Sequence, residues 1–274
     1  MHPILLQVGN FTLRSFGLLM SLGVLCGSYL ALRRAGKYYG EKVLDFCLWA
    51  VIAGIIGSRL WEVVFTWDSY RGNPINVLAI WQGGLSIQGG ILGGVLVGIW
   101  WTRKEKIPFW TFADLVTPGI LLGQALGRVG CFLAGDDFGV PTTSWLGVIY
   151  APGSPAYDVF GTTRLVPSEL MEGLWDIVII AILLLIERRG VKRFSGFNFA
   201  LYLGLYSGGR IILENYRDNG LLVAGDWRTA QVAGALGIVV ALVIFLLRRH
   251  QPLELPEPLP IQNNQAADLS SSKR

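Results

Sequence analysis

Seven stretches of this chain stay apolar for about the length of a membrane-crossing helix: approximately residues 16–32, 44–65, 85–101, 112–133, 170–186, 197–213 and 230–247. A hydrocarbon core about 30 Å thick needs roughly 20 such residues per crossing helix. In lipid the backbone satisfies its own polar groups only in helices or closed barrels. The pattern therefore predicts an all-α integral membrane protein with about seven transmembrane helices. Composition agrees: 15% of residues are charged, where a soluble domain carries about a quarter. The 35 glycines and 10 tryptophans suit closely packed helices with aromatic anchors at the membrane edges.

Basic residues set the direction. Arg33, Arg34 and Lys37 follow the first run, Arg103, Lys104 and Lys106 the third, Arg188, Arg189, Lys192 and Arg193 the fifth, and Arg248 and Arg249 the seventh. The alternate loops hold only Arg71, Arg164, Arg217 and Arg228. The positive-inside rule then places the N-terminus outside and the C-terminus in the cytoplasm. Residues 1–250 form the membrane domain. Residues 135–168, rich in Gly, Pro, Thr and Asp, form an extracytoplasmic loop or cap region. Residues 251–274, Pro-rich and polar, read as a disordered cytoplasmic tail. No cleavable leader is expected, because no small-residue cleavage site follows the first apolar run.

Some chemistry is excluded at once. The only histidines, His2 and His250, lie at the chain ends, so no His-based centre sits within the membrane. Cys26, Cys47 and Cys131 lie in apolar runs without CxxC spacing, which suggests neither a metal site nor a disulfide framework.

Four ionisable residues stand where charge is costly: Arg59 in GIIGSRLWEVV, Arg128 in ALGRVGC, and Arg210 and Glu214 in YSGGRIILENYR. A charge at the bilayer centre costs at least about 2.5–3.5 kcal/mol, so such groups face the bundle interior and have partners. The predicted topology puts all four toward the outer leaflet, able to share one site. Arg210 and Glu214 are one turn apart and can pair. The arginines face too few carboxylates, so an anionic ligand is the natural balance. A guanidinium fork matches phosphate oxygens, and the phosphate at that depth is a phospholipid headgroup. GGLSIQGGILGG, residues 83–94, combines a glycine break with close-packing glycines, and Gln88 is the polar residue on that face. The alternatives are an internal ion pair for Arg59 and Glu214, and helix packing for the glycines.

With those residues in view, the sequence resembles the prolipoprotein diacylglyceryl transferase family. The matching blocks are WQGGLSIQGG, GRVGCFLAGDDFG, VPSELMEG and GLYSGGRIILENYR, in order, with LRSFGLLMSLG and GSRLWEVVF also aligning, over about residues 10–250. The resemblance implies a bacterial inner-membrane enzyme. It would move the diacylglyceryl group of phosphatidylglycerol to the lipobox cysteine thiol of prolipoproteins and release glycerol phosphate. Arg128 and Arg210 would hold the phosphate and stabilise the leaving group, Glu214 would orient Arg210, and Tyr206 would line the site. Arg59, Gln88, Gly84 and Gly89 would contribute to substrate binding. Gly135 and Gly139 would shape the headgroup loop, and Asp136 stands at a position the family usually fills with Glu. No metal, cofactor or nucleic acid is implied. The chain departs from the family's pattern at Phe16 (usually Tyr), Gln88 (often His or Tyr), Cys131 (usually Asn, sometimes Cys), Ala134 (Asn), Val166 (His) and Met171 (Tyr). A thiol is only slightly ionised at neutral pH, so a base is needed: Asp136, Asp137 or Glu214, unless the arginines themselves depress the thiol's pKa. Two other readings stand beside the transferase: a non-catalytic phospholipid-binding relative, and a transferase with another acceptor.

Overall fold

The computed structural model describes residues 3–8, 11–191, 193–218, 222–224, 227–253 and 255–259. Every apolar run is helical. A hairpin, β1 (Ile4–Val8) and β2 (Phe11–Arg14), precedes α1 (Ser15–Tyr39). The chain continues through α2 (Lys42–Phe65), the single turn α3 (Trp67–Tyr70), α4 (Ile87–Lys104), α5 (Phe109–Ala134) and the short α6 (Pro155–Phe160). Then come α7 (Ser168–Arg188), α8 (Phe197–Leu213), a second small ribbon of β3 (Leu222–Ala224) and β4 (Trp227–Arg228), and α9 (Thr229–Arg248).

Among the described residues four helices, α1, α2, α5 and α9, are long and apolar enough to cross a membrane by length and composition. The others fall short for identifiable reasons. Helix α8 has 17 residues, and α7 carries Glu169, Glu172 and Asp176, all buried inside the protein. Many large apolar side chains of α1, α2, α4 and α9, such as Leu25, Val64, Leu96 and Leu247, face outward, as expected where the surrounding solvent is lipid.

Helix α5 is the central post, packed against α1, α7 and α8. The α1–α5 seam is a backbone contact: a methyl group added at Gly27 would lie 2.6 Å from the Gly119 carbonyl oxygen. Such proximity is how small residues associate helices in lipid, where no hydrophobic force drives them together. Pro118 interrupts the α5 hydrogen-bond ladder and leaves the Asp114 carbonyl without its helical donor. Asn198 of α8 donates to that carbonyl at 3.5 Å.

The loop after α5 closes over one end of the bundle. It contains α6, isolated bridges pairing residue 165 with 141 and 148, and a small core of Phe138, Tyr150, Ala156 and Leu165. At the other end, the start of the expected tail runs along the bundle. Ser195 N–H donates to the Gln251 carbonyl (3.1 Å), and Leu259 N–H to the Lys37 carbonyl (3.0 Å). The rest of the tail, from residue 260, lies outside the described residues.

Candidate active site

Three helices bring charge to one place. Arg128 lies near the C-terminal end of α5, Glu172 near the N-terminal end of α7, and Arg210 in the last turn of α8. Because α5 and α8 run antiparallel to α7, these positions fall at the same level. Arg128 Nη2 reaches Glu172 Oε2 at 2.7 Å, and Arg210 Nη1 contacts Glu172 Oε1. The two guanidiniums are thus held side by side on a single carboxylate. Arg128 Nη1 also pairs with Asp137 (2.8 Å), and Arg210 Nη2 pairs with Glu214, one turn on (3.1 Å). Arg217 completes the cluster, contacting Asp137 and lying 3.5 Å from Glu172 and 3.8 Å from Glu214.

The sequence expectation of too few carboxylates is corrected here. Asp137, Glu172 and Glu214 formally balance Arg128, Arg210 and Arg217. Glu172 escaped notice because it lies inside an apolar run, and Arg217 because it was counted as a loop residue. The detectable signal is a stripe on α7: Glu169, Glu172 and Asp176 follow helical spacing and line one face. The balanced charges are not evenly exposed. The side chains of Arg128, Arg210 and Asp137 are 18%, 15% and 22% accessible, whereas Glu172 and Glu214 are 4% and 2%. Two of the three arginines therefore share the accessible face, and the carboxylates of Glu172 and Glu214 lie behind them as struts.

Backbone packing fixes the Asp137 edge. Gly135 ends α5 in the left-handed region (φ +68°), a conformation costing a residue with a Cβ about 1–2 kcal/mol. Gly139 is wedged between two strands of backbone: a methyl there would lie 2.5 Å from both the Val166 and Tyr216 carbonyl oxygens. The Ser168 hydroxyl donates to the Asp137 carbonyl at 2.9 Å. Tyr150 donates to both oxygens of Glu169 (3.0 and 2.8 Å), latching the loop onto the start of α7. Burial, then the Glu169 charge, raises the Tyr150 phenol pKa, so it remains a donor. Asp136 sits at the exposed rim. Partial desolvation, then repulsion from Asp137, pushes its carboxyl above the ordinary range.

The remaining expected site residues divide. Tyr206 stacks near Tyr202 (5.9 Å between ring centroids), within electrostatic range of Arg128. Arg59 does not join the cluster. Its guanidinium donates to the backbone carbonyls of Asn76, Val77, Gly83 and Gly84 at 2.5–2.9 Å and stacks over Tyr70. Gly84 adopts φ +70° and its carbonyl is one of those acceptors. Gly89 is a contact point between α4 and α2, where a methyl would collide with the Gly57 carbonyl. Gln88 is exposed in the first turn of α4, accepting from the Ser86 hydroxyl at 2.5 Å, and takes no part in the cluster's ion pairs.

Beside the arginines, a groove of about 210 Å³ runs between α5 and α7, walled by Leu122, Leu126, Val129, Leu170, Leu174 and Ile177. Gly173 joins the two features: a methyl there would lie 3.3 Å from Arg128 Cβ. The geometry offers paired cations for an anion next to a slot for hydrocarbon.

A family model described as prolipoprotein diacylglyceryl transferase matches residues 3–247. The chain belongs to that family. A Nostoc protein named phosphatidylglycerol–prolipoprotein diacylglyceryl transferase is 36% identical, covering 94% of this chain and 93% of its own. Relatives of the same name from Halalkalibacterium halodurans (36% identical, 91% and 87% covered) and Listeria monocytogenes (34%, 91% and 90%) are similar throughout. This family member keeps its paired arginines in a membrane protein's interior, at one end of the bundle.

Proposed function

We propose that the chain transfers the diacylglyceryl group of phosphatidylglycerol to a prolipoprotein cysteine thiol in the bacterial cytoplasmic membrane, with all seven long helices crossing and the N-terminus outside. The observation that carries this reading is the pairing of Arg128 with Arg210 across Glu172, beside an apolar groove. The lipid phosphate docks on the partly accessible arginine pair, and an acyl chain lies between α5 and α7. The thiol sulfur attacks the glyceryl carbon. The S–C bond forms as the C–O bond to phosphate breaks, and the electron pair leaves with glycerol phosphate. Arg128 and Arg210, already held in place, stabilise that departing charge without reorganising, the condition under which electrostatic catalysis is most effective.

The thiol proton goes to Asp136. Asp137 and Glu214 each lie within ion-pair reach of two arginines and serve to brace them. The Asp136 carboxyl is raised and stands at the exposed rim where an acceptor peptide arrives. The usual family residues are replaced at Val166 and Met171, which removes other proton carriers, so the choice of Asp136 sharpens here.

The test is complementation of bacteria depleted of their own diacylglyceryl transferase. Lipid modification of a prolipoprotein is expected with the natural chain, and a fall of about 10²–10³-fold in turnover with Arg128→Ala or Arg210→Ala. Binding of phosphatidylglycerol without any transfer would replace this reading with that of a lipid-binding relative. Modification of a different nucleophile would change the acceptor.

A further inference from the structure

A second charged cluster occupies the opposite end of the bundle. The intervals Asp114–Arg128 on α5, Glu172–Glu187 on α7 and Asn198–Arg210 on α8 each correspond to about 20 Å of helix, so three helices independently separate it from the active site. There a cavity of about 280 Å³ is lined by Arg33, Arg34, Lys37, Arg193, Asp114 and Glu187. Its carboxylates are already committed. Glu187 Oε1 accepts from Arg34 (2.6 Å), Arg193 (2.9 Å) and Asn198 (2.8 Å). Asp114 accepts the backbone N–H groups of Gly196 (2.7 Å) and Phe199 (3.0 Å), anchoring the start of α8. Arg34 Nε also donates to the Leu115 carbonyl at 3.1 Å. Arg33 and Lys37, one turn apart on α1, enter no ion pair among the described residues. They lie over the Tyr29 and Tyr38 rings.

Among the described residues the lining therefore carries four cations against two carboxylates, and both carboxylates are engaged. A concave site with excess positive charge concentrates anions, and basic pockets between membrane helices on the cytoplasmic side suit phospholipid headgroups. The volume fits a phosphate ester with its glycerol, while chains of a whole lipid would have to lie outside. Tyr38, Leu253 and Leu255 supply apolar surface in the same lining. We infer that this cavity binds a phosphate ester anion, the headgroup of an anionic phospholipid of the inner leaflet, at a site separate from the catalytic arginines.

The proposal is tested on the full-length chain in detergent by native mass spectrometry, with phosphatidylglycerol, phosphatidylcholine and free glycerol phosphate as probes. Arg33→Gln/Lys37→Gln is expected to retain one phosphatidylglycerol fewer than the natural chain, with affinity at that site about 30-fold weaker. The charge-preserving Arg33→Lys/Lys37→Arg should restore it, which separates lost charge from lost folding. Phosphatidylcholine should not fill the site. Saturation by glycerol phosphate, dependent on Arg33 and Lys37, supports the same site with a soluble anion as its source. Equal retention by the glutamine variant, or equal binding of phosphatidylcholine, overturns the inference. Because the readout is stoichiometry and not turnover, it stands independently of the transferase reading.

Discussion

Arg59 and Arg128 are the same residue type, each placed by sequence within an apolar helix toward the same side of the membrane, yet they do opposite things. Arg59 is 6% exposed and gives its N–H groups to backbone carbonyls of the segment between α3 and α4. It is a fastener: its charge is spread over peptide dipoles and its stacking partner is an aromatic ring. Arg128 is held by carboxylates from a loop and from another helix and keeps part of its surface open. Carbonyl partners tie an arginine to one fold. Carboxylate partners around a partly accessible guanidinium suit the anion-binding role proposed for Arg128. Hydropathy marks a cation inside an apolar run, and the partners around it separate the two cases.

The sharpest way to break the comparison is to remove the strut. Glu172→Ala leaves two guanidiniums facing each other with no shared carboxylate, and destabilisation by about 3–5 kcal/mol is expected, measured by thermal unfolding in detergent. Glu172→Gln keeps the shape, so a loss of turnover with near-natural folding would identify charge balance as the working element. Arg59→Ala sits lower on the scale. Unpaired carbonyls cost about 1–3 kcal/mol, so its unfolding temperature should fall while turnover per folded molecule stays close to natural. Loss of turnover without loss of stability would move Arg59 into the active site.

The smallest effect is at Asp136. Its folded carboxyl is raised by partial desolvation and by Asp137, so folding favours the protonated form. Its contribution is favourable at low pH and is lost as pH rises from the unfolded carboxylate range through the folded value. Asp136→Asn should flatten the stability profile over that acidic window. In the proposed mechanism it should also slow transfer more at neutral than at alkaline pH, where the thiol ionises unaided; an unchanged rate profile would release Asp136 from the proton step.

The helices were legible because a membrane leaves so little choice: each apolar run corresponds to a helix with ends shifted by at most three residues, except that α1 runs seven residues further, through its basic end to Tyr39. Arg128, Arg210 and Glu214 were legible because charge in oil demands a reason. What hydropathy conceals is azimuth. It says nothing of the direction a side chain takes, so the fastener Arg59 and the clustered Arg128 look alike in the sequence. It also hid Glu172, since an apolar window absorbs one acid without losing its character. The 3–4 residue spacing of Glu169, Glu172 and Asp176 carries the azimuthal information, and a helical wheel of α7 would have pointed all three inward. Arg217 was out of reach for another reason. It stands in a loop, where the bridge between Gly139 and Arg217, a contact between distant parts of the chain, helps bring it to the cluster.

The contact between Gly27 and Gly119 has a consequence for traffic. Where two helices touch backbone to backbone, no hydrocarbon tail slips between them, so the α1–α5 side is a closed wall. In the proposed function, donor lipid and lipidated product would then come and go around other flanks of the central post, with the groove between α5 and α7 as the doorway.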